Sequence, residues 1–374
     1  MAGDLALGVI GVAIVVVAVA DMFLTVFNYD GYTTLATLFH RMWWRLLRFA
    51  TRPLPAGARH VALSIGSASM LPATVALWLG LEISGFALAD FGGLKGGAFK
   101  LTDASPSLGT AFYLSAGAIS TLSSADITPT GGFVRALGDV ETIVGLATYT
   151  LALGYVVTAF GVLGRLENLH GRVRRHAGDL RRPESIVSRH FRGDQGGDLT
   201  SFLQALADDL ENYDQGLRRY PVVYYFHTRR TRRSIPVVFA SIGDLVALLR
   251  WGLPSTEPLV HDAFLHALHD AYVATLDRLR RSFVGPDPFD VPEPVPVDEF
   301  AARFRGDAND EEVEAFRRLE QRGREAAGIA DDDDVASLYE RYAAWLPFGY
   351  RERVVLERVA ERLGYDSPEP IAAA

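Results

Sequence analysis

Three features of this 374-residue sequence predict an all-α membrane protein followed by a helical soluble region. Apolar residues concentrate in the first half, in runs over Leu5–Phe27, Val61–Phe91 and Gly131–Leu163, each near the length a membrane-spanning helix needs. Arginines cluster between the first two runs and again after the third. Beyond Leu163 the apolar residues recur at helical spacing among charged ones. The absence of cysteine excludes disulfides, thiolate-held metal and a thiol nucleophile. A net charge of -8 does not suggest a nucleic-acid partner.

The first run carries one charge within it, Asp21, expected to sit near the interface and be solvated or paired. Ala18-Val19-Ala20 resembles a signal cleavage site, but the preceding residues hold Asp4 and no lysine or arginine, which favours a retained helix. From Tyr29 to Pro55 the chain turns basic and aromatic (Arg41, Trp43, Trp44, Arg45, Arg48). That composition suits an amphipathic helix on the cytoplasmic face, or a connecting helix with an aromatic packing side. The second run contains Pro72 and Glu82, the latter expected to be paired inside a bundle. Gly92, Gly93, Lys95, Gly96, Gly97 and Lys100 then read as a flexible turret.

Between Ser107 and Leu163 a short apolar stretch rich in small residues is followed by a polar segment containing Ser123, Ser124, Asp126 and Thr128, and then by the third run. Polar backbone between apolar runs is costly at membrane depth unless protein buries it or it lines a wet path. Half-helix, polar strand and spanning helix therefore predict a re-entrant loop.

At these residues the chain resembles the pore-loop potassium channel superfamily in its minimal bacterial two-helix form. Thr121, Leu122, Ser123, Ser124, Ala125, Asp126, Ile127, Thr128 and Pro129 fall in the register of the family's T-x-G-Y-G-D filter and the I-T-P that often follows. Arg135, Leu137, Glu141 and Gly145 match R-x-L-x-x-x-E-x-x-x-G at the start of its inner helix, and Phe112 and Tyr113 suit its pore helix. The resemblance covers about a quarter of the chain. It implies a re-entrant pore helix and filter loop, a homotetramer around one pore, and an ion pathway formed by Thr121, Leu122, Ser123, Ser124, Ala125 and Asp126. Glu141 would support the filter, and Gly154 and Gly161 would give the inner helix places to bend, or to pack closely. Both filter glycines are replaced, by Ser123 and Ala125, and the filter aromatic by Ser124, so the potassium signature is lost. Thr121-Leu122-x-Ser124 is also similar to the T-L-E-S filter of bacterial sodium channels, without its glutamate.

The expected division is a first transmembrane helix with an interfacial helix (1–60), a pore domain of outer helix, pore helix, filter and inner helix (61–165), and a cytoplasmic helical domain (166–374). Placing both arginine clusters inside the cell puts the N-terminus outside and the C-terminus in the cytoplasm of a plasma (inner) membrane. In the soluble half, helices are expected over Leu199–Tyr220, Ile235–Leu249 and Phe264–Leu279, with a short buried segment at Tyr220–His227. A proline-rich linker over 285–296 comes next, then a last helical segment with Asp331–Asp334 as solvated N-terminal charges. His261, Asp262, His266, His269 and Asp270 lie close in sequence, but His261 is well round the helix from His266, and ordinary surface or core histidines are expected rather than a metal site. The Arg229–Arg233 run reads as a solvated or salt-bridged loop, with anionic lipid or a phosphorylated ligand as the sharper alternative.

The function expected is a tetrameric cation channel, weakly potassium-selective or non-selective, passing K⁺ and Na⁺ with divalent ions as a further option, and gated through its cytoplasmic domain. A membrane-anchored signalling or scaffold protein with a degenerate, non-conducting pore is the alternative. An enzyme ranks third, because no nucleophile-base set appears, and no cofactor is expected.

Overall fold

The structure, a computed structural model, describes residues 2–27, 34–102, 104–122, 126–180, 182–191, 199–285, 290–306, 310–329 and 334–365. The chain forms two compact units. The first comprises 1–162 together with 216–226, and the second comprises 163–215 together with 227–374. Segment 216–226 thus belongs with the first unit, although a single boundary near 165 was expected from composition.

The first unit opens with helix α1 (Ala2–Val26), followed by α2 (Leu35–Thr51), α3 (Ala56–Ala68) and α4 (Met70–Lys95). Strand β1 (Phe99–Leu101), α5 (Leu108–Ile119), strand β2 (Ile127–Pro129) and α6 (Gly132–Ala177, whose residues from Leu163 onward belong to the second unit) follow. Three stretches are long and apolar enough to cross a membrane: Gly3–Val26 with 24 residues, Met70–Lys95 with 26 and Gly132–Ala177 with 46. At about 1.5 Å per residue even the shortest exceeds a hydrocarbon core of about 30 Å. Their outward faces carry Val9, Val16 and Phe23 on α1 and Ile143, Leu153 and Val157 on α6, all exposed. An apolar belt of that size needs lipid or protein over it.

The second expected run divides differently. Helix α3 ends at Ala68, Ser69 caps it, and the spanning helix starts at Met70, which places Pro72 in the first turn of α4. A first-turn amide has no intrahelical partner, so proline costs little there. The turret is also more ordered than glycine content suggested. Gly92, Gly93 and Lys95 finish α4, Gly97 turns the chain with φ +76°, and Lys100 lies in β1. Strand β1 pairs antiparallel with β2, with Phe99 opposite Pro129 and Leu101 opposite Ile127. This short ladder is the one exception to the all-helical expectation among the described residues.

Helix α1 lies against α4 where two glycines meet. A Cβ on Gly85 would stand 2.7 Å from the Gly11 carbonyl oxygen, and one on Gly11 would collide with the Gly85 carbonyl. Residues 1–60 are therefore packed into the same body as the helices that follow. Lipid offers no hydrophobic drive between spans, and small residues let backbones approach for van der Waals contact. Asp21 is buried and paired. Its carboxylate accepts from the amides of Leu35 (2.5 Å) and Ala36 at the start of α2, and from Trp78 Nε1 on α4 at 2.9 Å. A carboxylate at a helix N-terminus satisfies orphan amides and meets the positive end of the helix dipole. His40 of α2 is held 2.8 Å from Thr74 Oγ1, and burial pushes its pKa down to about 4, so it is neutral at physiological pH. The opposite face of α2 presents Leu38, Met42, Leu46 and Phe49.

The segment from 216 to 226 packs as part of this unit. A 3₁₀ helix over Pro221–Tyr225 buries Val222, Val223 and Tyr224. Tyr220 sits 6.0 Å from the Tyr155 ring, Phe226 6.0 Å from Phe160, and Tyr225 6.0 Å from Trp44. Gly216 leaves the space that the Val162 side chain fills.

The second unit holds α7 (Glu184–Phe191), α8 (Leu199–Arg219, whose last turn belongs to the first unit), α9 (Ile235–Trp251) and α10 (Ala263–Phe283). Helices α11 (Val297–Phe304), α12 (Glu311–Ala327) and α13 (Val335–Leu363) follow. Helix α9 is apolar and buried on most sides, with α7, α10, α12 and α13 packed against it. Asp334 caps α13, while the other acids of that expected N-terminal run lie outside the described residues. Arg341 is buried and donates to the carbonyls of Trp251 and Leu253 and to Glu320. Gly243 of α9 leaves room for the Glu352 carboxyl, whose Oε1 lies 2.6 Å from the Tyr272 hydroxyl.

Candidate functional site

The sequence of α5 sets its own limits. Ser107 caps it by accepting from the Thr110 amide at 3.1 Å, and Ser105 takes the Thr110 hydroxyl at 2.7 Å. With 12 residues, α5 reaches about 18 Å, too short to cross a bilayer. It ends where Thr121 adopts φ +61°, the single non-glycine residue of positive φ among those described. A β-branched residue in the left-handed region carries a cost of about 1–2 kcal/mol, so the surrounding structure must impose it. Thr121 and Leu122 face outward, Leu122 being 71% exposed.

Ser123, Ser124 and Ala125 lie outside the described residues. The Asp126 carbonyl accepts from the Thr102 amide at 2.9 Å as the β1–β2 ladder begins. The Tyr113 hydroxyl donates to Asp126 Oδ1 at 3.4 Å. Thr121, Leu122 and Asp126 therefore flank the undescribed triplet at the end of a short helix, and the ladder fixes where the returning strand leaves. Below the ladder, Phe91, Leu94, Phe99, Ala111 and Ile127 form one apolar core joining α4, α5 and both strands.

The residues matched at the start of the third span each make a local contact. Arg135 Nε donates to the Pro129 carbonyl at 3.4 Å, holding the strand-to-helix turn. Leu137 packs on a second core with Val15, Phe86 and Ile119. Glu141 is 1% exposed and accepts from the Ser115 hydroxyl at 2.6 Å. Gly145 meets the end of α5 so closely that a Cβ there would lie 2.8 Å from Ile119 Cα. The spacing of four between Glu141 and Gly145 puts both on one face of α6, and that face holds α5. A second buried pair stands deeper, where the Thr148 hydroxyl donates to Glu82 Oε1 at 2.7 Å.

Gly154 and Gly161 are different. Beyond the adjoining turns of α6 itself, no described atom comes within 4 Å of where a Cβ would stand at either, so packing against other elements of this chain does not require them. They lie on an exposed side of α6 with Ala147, Thr150 and Thr158, and α6 runs through both as continuous helix.

Ser115, Thr148 and Trp78 were not singled out from sequence, although each is a polar group within an apolar stretch and so needs a partner. The histidines of the second unit do not converge. His261 Nε2 lies 2.9 Å from the Ser255 carbonyl, Asp262 caps α10, His266 pairs with the Asp262 carbonyl, and His269 pairs with Asp270. Among the described residues no group of three or more such side chains is placed to hold a metal.

The spans and their apolar belt make this a membrane protein. A membrane protein of Bacillus subtilis, the uncharacterized YdjJ, is 20% identical over 221 residues, which is 56% of this chain and 64% of YdjJ. The chain thus matches less than two thirds of that relative's length. No family model matches the sequence. No solved structure matches it either.

Proposed function

We propose that the chain is one subunit of a homotetrameric cation channel of the plasma (inner) membrane, with α5 as a re-entrant pore helix and Thr121–Asp126 as its ion pathway. The observation that carries this reading is the seating of α5, a helix too short to span, against α6 through Ser115–Glu141 and Ile119–Gly145. One loop cannot enclose an axial path, so four copies surround it. The arginine clusters support an N-terminus outside and a cytoplasmic region after α6. Four Asp126 carboxylates at the outer mouth concentrate cations. Without the filter glycines the path is wider and ions keep part of their water, so K⁺ and Na⁺ both pass.

Control from the cytoplasmic side is supported by segment 216–226. It is flanked on both sides by chain of the second unit, and its Tyr220 and Phe226 rings pack at an angle against Tyr155 and Phe160 of α6. Native mass measurement in mild detergent should give four subunits, and purified protein in liposomes should pass K⁺ and Na⁺ at comparable rates while excluding Cl⁻. An intact tetramer that passes no ion would instead support the scaffold reading, in which the cytoplasmic helices do the work.

A further inference from the structure

The second unit contains a cleft of about 640 Å³ between the end of α6 and the 3₁₀ turn over Thr231–Arg233. That volume is in the range of small-molecule sites, about 300–1,000 Å³. Arg174, Arg230, Arg232 and Arg233 line it, and Asp179 supplies the one negative charge among the lining residues. Arg233 is already neutralised, its Nη1 lying 3.1 Å and 3.2 Å from the two oxygens of Glu167. Arg174, Arg230 and Arg232 pair with no carboxylate among the described residues, unlike Arg172, Arg278, Arg303 and Arg353 of the same unit. The unit thus neutralises many of its arginines internally and leaves three together, on two separate elements, around one concavity.

We propose that this cleft binds a phosphate-bearing anion. These three arginines are exposed, and like charges gathered around one concavity repel one another, a repulsion that a bound anion turns into attraction. The planar guanidinium fork matches phosphate oxygens two at a time, which a single carboxylate could satisfy only once. Three forks on two walls therefore suit a ligand with several anionic oxygens. Thr231 adds a hydroxyl at the same wall and His170 an imidazole, and among the described lining residues there is no Phe, Tyr or Trp. The chemistry is shared by a free polyphosphate-type anion and by the headgroup of an anionic phospholipid. The site does not rest on the channel reading, because its occupancy is measured without flux.

The test uses the full chain in neutral detergent. Calorimetric titration with inorganic tripolyphosphate reports a free ligand, and native mass spectrometry with added phosphatidic acid reports a headgroup. Saturable binding of one molecule per chain in either arm is expected, weakening as salt rises. Arg174→Ala, Arg230→Ala and Arg232→Ala should each lower affinity about tenfold, the loss of roughly one charge-assisted hydrogen bond. Arg358→Ala, which removes an exposed pair with Glu361, should leave it unchanged. Binding in the first arm alone assigns a soluble ligand, and binding in the second alone assigns lipid. No binding in both arms overturns the proposal. So does unchanged binding in an R174A/R230A/R232A variant that melts at the wild-type temperature.

Discussion

The Ser115 hydroxyl donates to the Glu141 carboxylate across 2.6 Å, joining helices α5 and α6 at a point where both side chains are buried. Four residues along α6, Gly145 lets the same two helices touch through backbone at Ile119. Together a polar clamp and a steric notch hold α5 in place. Removing the acid leaves a buried hydroxyl without an acceptor and opens a cavity. Glu141→Ala should therefore destabilise the membrane unit by about 2–5 kcal/mol. Glu141→Gln keeps an acceptor for Ser115 and should cost less than half as much. Thermal melting of purified protein in detergent ranks the two, and equal losses would mean that the hydrogen bond contributes nothing.

Glycines on one helix should behave in opposite ways. Gly145→Ala drives a methyl group into the Ile119 backbone and should lower the melting temperature. Gly154→Ala and Gly161→Ala enter open space and should raise it slightly, each adding about 0.5–1 kcal/mol of stability, because alanine favours helix over glycine. If these glycines also serve as bending points, the two stabilised variants should open less often in single-channel recordings.

The pore reading makes two demands on the segment after α5. Asp126→Asn should reduce cation conductance most at low salt, where screening is weakest. Glycines at Ser123 and Ala125 with tyrosine at Ser124 should move the reversal potential in mixed Na⁺ and K⁺ towards the K⁺ value. A wild-type reversal potential already at the K⁺ value would defeat the proposed lack of selectivity.

In the second unit the Tyr272 hydroxyl lies 2.6 Å from Glu352 Oε1 and 3.1 Å from the Phe239 carbonyl oxygen. One hydroxyl proton cannot serve both acceptors, but a protonated Glu352 can donate to Tyr272 while Tyr272 donates to Phe239. Burial, with the nearby Asp244 charge adding to it, pushes Glu352 well above the ordinary carboxylate range. For an acid whose folded pKa is raised, the contribution to stability is complete below the unfolded pKa near 4.5 and is lost as pH climbs from there towards the folded value. The loss is about 1.4 kcal/mol per pH unit. Glu352→Gln reproduces the protonated donor at every pH, so denaturant unfolding should find it more stable than wild type at pH 8 and nearly equal at pH 4. A parallel pH dependence in both proteins would remove Glu352 from the explanation.

Segment 216–226 offers the test of cytoplasmic control. Tyr220→Ala with Phe226→Ala removes its rings from Tyr155 and Phe160 while leaving the residues around Thr121 and Asp126 untouched. Open probability should change and relative ion permeabilities should not. A shift in permeability ratio would show that the segment acts on the ion pathway rather than on opening.

The spans were legible because hydrocarbon thickness imposes a length that composition alone reveals. The soluble helices were legible through their period: the helices expected over Ile235–Leu249 and Phe264–Leu279 are α9 and α10, each a few residues longer. The β1–β2 ladder was hidden because three residues per strand give too little alternation to detect, and its flanking glycines read as flexibility. The pairs Ser115–Glu141, Thr148–Glu82 and Trp78–Asp21 were hidden for another reason. A polar residue in an apolar helix announces that it needs a partner, but which helix supplies that partner is a property of packing, and no one-dimensional pattern encodes it.

The return of residues 216–226 to the first unit has a consequence for how the protein is made and cut. A ribosome finishes α6 well before it reaches Tyr220, so Tyr155 and Phe160 lack the rings of Tyr220 and Phe226 while α7 and most of α8 are still being synthesised. A chain released before Phe226 would leave the membrane with an incomplete unit, a natural substrate for quality-control proteases. For the same reason no single peptide bond divides the two units. A fragment ending near Arg182 discards part of the first, and one beginning at Leu163 carries a piece that belongs elsewhere.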